Sequence, residues 1–242
     1  DHVEIEPYAK FFSTSTALTA IMPTTVRGTL GLTDIEIIER PNLLSLAIRR
    51  DTQEQWNMLH TSKQRNISKT LKNIELGICD ETGNVREIFL ESFARVQVSR
   101  STTISHFFDT ESLNNILDLT NSKLFYARSK HDRSTILFHL NFLIDGTCYY
   151  LFSSNTSEDS RSFSAALHWL VIEWLASQYD YHYYSLGGGL SKADGIEKFK
   201  SQLGATAVKR YYAVYPGAKY TRSNFFPTSH SFLSHKFLSE NN

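Results

Sequence analysis

The residues best equipped for chemistry lie in one run, Tyr184-Ser-Leu-Gly-Gly-Gly-Leu-Ser-Lys-Ala-Asp-Gly-Ile-Glu-Lys-Phe-Lys-Ser-Gln-Leu-Gly204. A strand that leads into Gly187-Gly188-Gly189 lets another group approach the main chain, because no Cβ stands in the way. From Asp194 the spacing predicts a helix, with Ile196, Phe199 and Leu203 at i, i+3 and i+7 on one face and Gly204 as its stop. On that helix Lys198 points away from Phe199, and Lys200 sits at the edge of the apolar face. A turn of this kind either binds a group or simply connects a strand to a helix. Its spacing fits neither G-x-x-x-x-G-K-S/T nor G-x-G-x-x-G, so neither a P-loop nucleotide triphosphatase nor a Rossmann dehydrogenase is supported.

A second set of candidates precedes it. Thr52-Gln-Glu-Gln55 has capping-box form, and Trp56, Leu59, Ile67, Leu71 and Ile74 recur at helical spacing, which predicts one long amphipathic helix. Its other face carries Lys63, Arg65, Lys69 and Lys72, a basic surface that is either solvated or anion-binding.

The remaining elements must hold these two segments in place. Up to about residue 50 the chain reads as strands: Val3 and Ile5 alternate with acidic residues, and Asp34 to Arg40 pairs with Leu43 to Arg50 as a hairpin across Pro41-Asn42. Helices are predicted from about Asn84 to Ser99 and after Asp109. An antiparallel meander follows at Lys123 to Arg128, Ser134 to Ile144 and Thr147 to Ser153, with Asp145-Gly146 as a hairpin turn. Ser162 or Ser164 caps a helix with the stripe Leu167, Leu170, Val171, Trp174 and Leu175, then His182 to Leu186 forms the strand that delivers the glycines. A last strand runs from Ala207 to Val214. This order predicts a mixed α/β fold, its sheet layered with helices.

Composition narrows the classes. With 242 residues, 41% of them hydrophobic, the chain can bury a substantial core. Lys+Arg 25 against Asp+Glu 25 leaves no net charge, so any polyanion must be recognised locally. Cys79 and Cys148, far apart in apolar surroundings, read as buried free thiols of a reducing compartment, with no metal site. No apolar run is long enough for a membrane span and no signal-peptide pattern opens the chain, which predicts a cytoplasmic protein. Asp1 in place of Met leads to the expectation of a fragment or a processed product.

Two motifs in this order resemble the GCN5-related acyltransferase (GNAT) fold, and more closely its Fem-type (FemAB-like) branch of aminoacyltransferases and related acyltransferases. One is Gly187-Gly188, then Phe199-Lys200, then the strand Lys209-Arg210-Tyr211-Tyr212. The other is Gln55-Trp56 followed by Lys63-Gln-Arg65-Asn66-Ile67-Ser-Lys69, similar to a family helix that ends near Leu76-Gly77-Ile78. Three positions depart from the family pattern: Ser185 replaces an acidic residue, Thr70 an alanine, and the N-terminal half is short, as if a lobe were reduced or missing. The resemblance implies a GNAT-like mixed, mostly antiparallel central sheet flanked by helices. It also implies a single domain over 1–242, with a core at about 43–225 behind a strand-rich segment, 1–42.

The chemistry implied is transfer of an aminoacyl or acyl group from an activated donor, aminoacyl-tRNA or acyl-CoA, to an amine, with a cell-envelope precursor or a small molecule as acceptor. No other cofactor is implied. By the same resemblance Phe199 and Lys200 lead the site, Lys200 orienting the donor ester or an acceptor phosphate. Lys63 and Arg65 hold a phosphate or carboxylate, and Gly187 and Gly188 line the approach. Asp194 either caps the helix or moves a proton. His139 either accepts the amine proton or is a structural histidine. Tyr211 or Tyr212, whichever faces inward, bonds the acceptor. The Gly-rich loop that cradles a CoA pyrophosphate has no counterpart in Ser153 to Ser164, which contains no glycine. Two alternatives stay open: an acetyl-CoA-dependent N-acetyltransferase of an amino sugar or small amine, and a non-catalytic GNAT-like binding module.

Overall fold

The computed structural model describes residues 17–20, 36–79, 84–99, 108–188 and 195–214, with backbone alone at 17–20, 36–42 and 209–214. The chain divides into two compact units, Leu43–Ala207 and the outer segments Asp1–Asn42 with Val208–Asn242. In the outer unit β1 (Ala17–Ala20) pairs antiparallel with the end of β8 (Thr206–Val214), Ala17 opposite Val214 and Ala20 opposite Tyr211. The strand expected at Val3 and Ile5 lies outside the described residues.

The larger unit is built on a mixed sheet in the order β2-β7-β6-β5-β4-β3. Its strands are β2 (Glu36–Ala47), β3 (Ile74–Ile78), β4 (Ser122–Ser129), β5 (Ile136–Ile144), β6 (Thr147–Asn155) and β7 (Tyr183–Gly188). Every described ladder in it is antiparallel except that between β6 and β7. Asp145 and Gly146 take φ of 46° and 71°, the two consecutive left-handed residues that a tight hairpin between β5 and β6 requires. The strand β5, Ile-Leu-Phe-His-Leu-Asn-Phe-Leu-Ile, is buried on both sides along nearly its whole length, as a central strand covered by helices must be.

Helices cover both faces. On one face α2 (Thr61–Leu71) and α5 (Ser164–Ser177) pack on each other and on a core that includes Leu46, Ile67, Leu137, Leu167, Val171 and Tyr184. On the other, α3 (Val85–Ser99) and α4 (Thr110–Leu117) bury Phe89, Phe93 and Leu113 against Phe138 and Leu140 of β5. The helix α5 carries apolar residues on every side, and nine of its residues are buried. Its C-terminal end is tied down by one guanidinium: Arg50 donates to the carbonyls of Leu175, Ala176, Gln178, Tyr179 and Tyr181, and lies 5.3 Å over the Tyr179 ring.

Five expectations are corrected. The predicted hairpin across Pro41-Asn42 is one continuous strand, β2, because proline's fixed φ suits extended backbone as well as a turn. The predicted long helix from Thr52 is broken into α1 (Thr52–Asn57) and α2, and Ile74 belongs to β3. Asp51, and not Thr52, caps α1, accepting from Gln53 N and Glu54 N, while the Nδ1 of His60 accepts from Ser62 N to start α2. Neither Ser162 nor Ser164 caps α5, which continues from a 3-10 turn, Glu158–Phe163, in which Ser162 Oγ donates to Asp159 O. Ile196, placed on the apolar face of its helix, is 49% exposed.

Gly204 closes the helix that follows the glycines, with φ of +90° and its Cα facing the Met58 carbonyl. A Cβ there would lie 3.4 Å from that oxygen in a left-handed conformation. Gly204→Ala is expected to lower stability by about 1–2 kcal/mol in urea unfolding, whereas Gly195→Ala, whose Cβ would meet nothing, should not.

Candidate active site

The helix α6 (Gly195–Ser201) returns from the glycine turn alongside the α1–α2 junction. His60 N donates to Gln202 O at 2.9 Å, and Gln64 Nε2 donates to Trp56 O at 2.9 Å across the helix break. These bonds set Lys63 above α6, where its ammonium sits 4.4 Å over the ring of Phe199. One residue further, Lys200 turns inward and is buried. Its Nζ donates to the carbonyls of Gly187 at 3.3 Å and Gly188 at 3.1 Å, joining α6 to the end of β7. Gly187 itself has φ of +72° with open space where a Cβ would stand, so glycine is required there for conformation, not clearance.

Beneath Phe199 lies His168, its ring centroid 5.8 Å away on α5. His168 Nδ1 and the Tyr184 hydroxyl are 2.9 Å apart, and its ring lies 4.3 Å from that of His139 and 5.1 Å from that of Tyr150. His139 also packs edge-on against Tyr150 at 4.9 Å. Both imidazoles are neutral well below physiological pH. Burial, then the nearby His168, pushes His139 far under the ordinary histidine range; burial, then the Lys200 ammonium, pushes His168 down to about 3. Burial likewise lifts the Tyr184 phenol well above its ordinary value, so the hydroxyl keeps its proton. Lys63 is lowered by partial burial.

The parallel ladder between β6 and β7 runs only from Thr147–Tyr183 to Tyr149–Ser185. Beyond it β6 continues to Asn155 and β7 to Gly188, so Tyr150 and Leu186 follow the last paired residues. Among the described residues the β6–β7 pairing is not continued beyond Tyr149–Ser185, and the Lys63 and Lys200 ammonium groups lie on the helices at this end of β7.

Lys63, Phe199, Lys200, Gly187, Gly188 and His139 thus meet around His168. Arg65, two residues beyond Lys63, is exposed. Asp194 lies outside the described residues. Tyr211 and Tyr212 lie on β8 in the outer unit, where only the backbone is described. His168, Tyr184 and Tyr150 were not candidates in the sequence; the signal for His168 is a lone polar residue inside Ala165-Ala-Leu-His-Trp-Leu-Val171. Among the described residues, no group of His, Cys, Asp and Glu is placed to hold a metal. Cys79 and Cys148 are free thiols, and burial lifts the Cys148 thiol far above its ordinary range.

No protein-family model matches the chain, and no curated protein does. Solved structures do. FemX superposes with a TM-score of 0.66 at 12% identity, covering 87% of this chain and 75% of FemX. The chain has the fold of FemX. The C-terminal domain of an Agrobacterium fabrum protein assigned as a lysylphosphatidylglycerol synthetase gives 0.61 at 12% identity, over 88% of this chain and 71% of that one. L-PGS from Bacillus licheniformis gives 0.55 at 11%, over 81% and 66%. The FemX-like fold is the GNAT-like mixed, mostly antiparallel sheet with flanking helices that the two motifs implied.

Two outcomes follow from the buried histidines. Tyr184→Phe removes the hydroxyl that bonds His168 Nδ1 and is expected to cost about 1–3 kcal/mol in urea unfolding. The unfolded chain binds protons at these histidines below about pH 6.5, whereas the folded chain holds His168 neutral down to about 3. Stability therefore falls as pH drops from 6.5 toward 3, by up to about 1.4 kcal/mol per pH unit for each histidine. Urea midpoints measured across this range should fall less steeply in His168→Asn than in the wild type.

Proposed function

We propose that the chain is an acyltransferase that moves an aminoacyl or acyl group from an activated ester or thioester to an amine. The observation that carries this reading is the end of the β6–β7 ladder at Tyr149–Ser185, next to the convergence of Lys63, Phe199 and Lys200 on His168. Attack of an amine on an acyl carbonyl builds negative charge on its oxygen, and strand-end peptide N–H groups and nearby ammonium groups stabilise that charge more than they stabilise the ground state. On this reading Lys200 fixes the glycine turn against α6 and holds positive charge beside the reacting carbonyl. Lys63 and Arg65 hold an anionic part of the donor or acceptor.

An aminoacyl group is favoured as the cargo, with aminoacyl-tRNA as donor and an amine of a cell-envelope precursor as acceptor, in the cytoplasm. Two observations support it. The fold is that of FemX and of a protein that, by its name, makes lysylphosphatidylglycerol. The segment between β6 and α5 is a 3-10 turn without glycine, which offers no Gly-rich cradle for a CoA pyrophosphate. On the same reading the functional domain is the whole of 1–242, with its GNAT-like core at about 43–225.

Lys200→Met keeps the aliphatic stem and removes the charge. It is expected to lower transfer to an amine acceptor about 100-fold while the circular dichroism spectrum stays that of the wild type. Full activity in this variant would remove the assigned role. Calorimetric titration with CoA is expected to give no binding heat, and a saturable heat would move the donor to acyl-CoA.

A further inference from the structure

The face of β5 toward α5 carries three polar side-chain atoms that are fully buried and have no hydrogen-bond partner among the described residues: Nδ1 and Nε2 of His139, and Oδ1 of Asn141. Leaving any one of them dry would weaken folding about tenfold or more, because water bonds it in the unfolded chain. The two residues stand two apart on one strand face, about 7 Å along the strand, a span that two linked water molecules with hydrogen bonds of about 2.8 Å can bridge. Asn141 Nδ2 donates to His139 O at 3.2 Å, which fixes the amide and leaves Oδ1 as the free acceptor. A neutral imidazole offers one donor and one acceptor. The sheet is also locally irregular here: the β5–β6 register shifts between Leu140 and Asn141, whose partners are Phe152 and Tyr150, so Leu151 is passed over.

We propose that His139 and Asn141 hold internal water between them, and that this water makes His139 a positioning residue for the reaction, setting the plane of His168 against Phe199. The second half rests on the acyltransferase reading; the water site does not. Water bonded to the His139 ring fixes its orientation, and a ring only 4.3 Å away fixes that of His168 in turn. Phe199, with the Lys63 ammonium over it, then rests on an imidazole already aligned, with one nitrogen held by Tyr184.

The test is a double-mutant cycle with His139→Leu, Asn141→Leu and the double variant, read by urea unfolding, together with kcat and KM for amine acylation. If water links the two side chains, each single change weakens folding about tenfold, and the double variant loses at least about fivefold less than the product of the two, since the second change strands nothing. Additive losses, or single variants more stable than the wild type, overturn the water site. For the positioning role, His139→Leu should lower kcat about tenfold at unchanged KM, and His139→Gln should recover most of it. An unchanged kcat in His139→Leu overturns that role. A wild type that transfers nothing removes the acyltransferase reading and the positioning role together, while the cycle still decides the water site.

Discussion

Two neighbouring strands that run in the same direction cannot be joined by a turn, and β6 and β7 are such a pair. The chain must leave the end of β6, cross the sheet face and start again at the other end, and α5 makes that crossing. A crossover helix pressed between a sheet and a second helix is wet on almost no side. This explains why α5 is apolar all round and why the one imidazole it carries, His168, is buried with the sheet's own Tyr184 as partner. The same parallel pair stays bonded for only three residue pairs. The open part of the sheet and the buried histidine therefore share one cause.

Electrostatically the centre is unusual for a site framed by two lysines. Lys200 spends hydrogen bonds on the Gly187 and Gly188 carbonyls, and Lys63 rests on an aromatic face. Burial and then the Lys200 ammonium hold His168 in its neutral form, and burial and then His168 do the same for His139. Neutral imidazoles, a protonated phenol and two cations suit a reaction that creates negative charge on oxygen better than one that needs a strong resident base.

Much of the scaffold was legible in the sequence, for reasons that differ by element. Asp145-Gly146 announced its hairpin because few dipeptides tolerate two left-handed residues in succession. Phe199 and Lys200 were legible because glycines bracket their helix, and Gly204 does close it. The break between α1 and α2 was hidden because Leu59 and Ile67 keep helical spacing across it, so periodicity does not register that His60 restarts the helix. Pro41 misled because an imino acid fits extended backbone and turn alike. Lys63, Lys200 and His139 stood out by residue type. His168, the residue around which they meet, did not, because its significance depends on three contacts distant in sequence: Tyr184, Phe199 and His139.

The Arg50 clamp has a mechanical side. Five carbonyls at and beyond the last turn of α5 converge on one planar cation, so that end of the helix is a fixed pivot. The opposite end begins from a 3-10 turn, whose hydrogen bonds are the weaker kind, and no side chain caps it. Any tilt of α5 is therefore amplified toward Ser164 and suppressed toward Ser177. His168 lies one turn from the free end, which makes the helix a lever whose compliant arm carries the central imidazole.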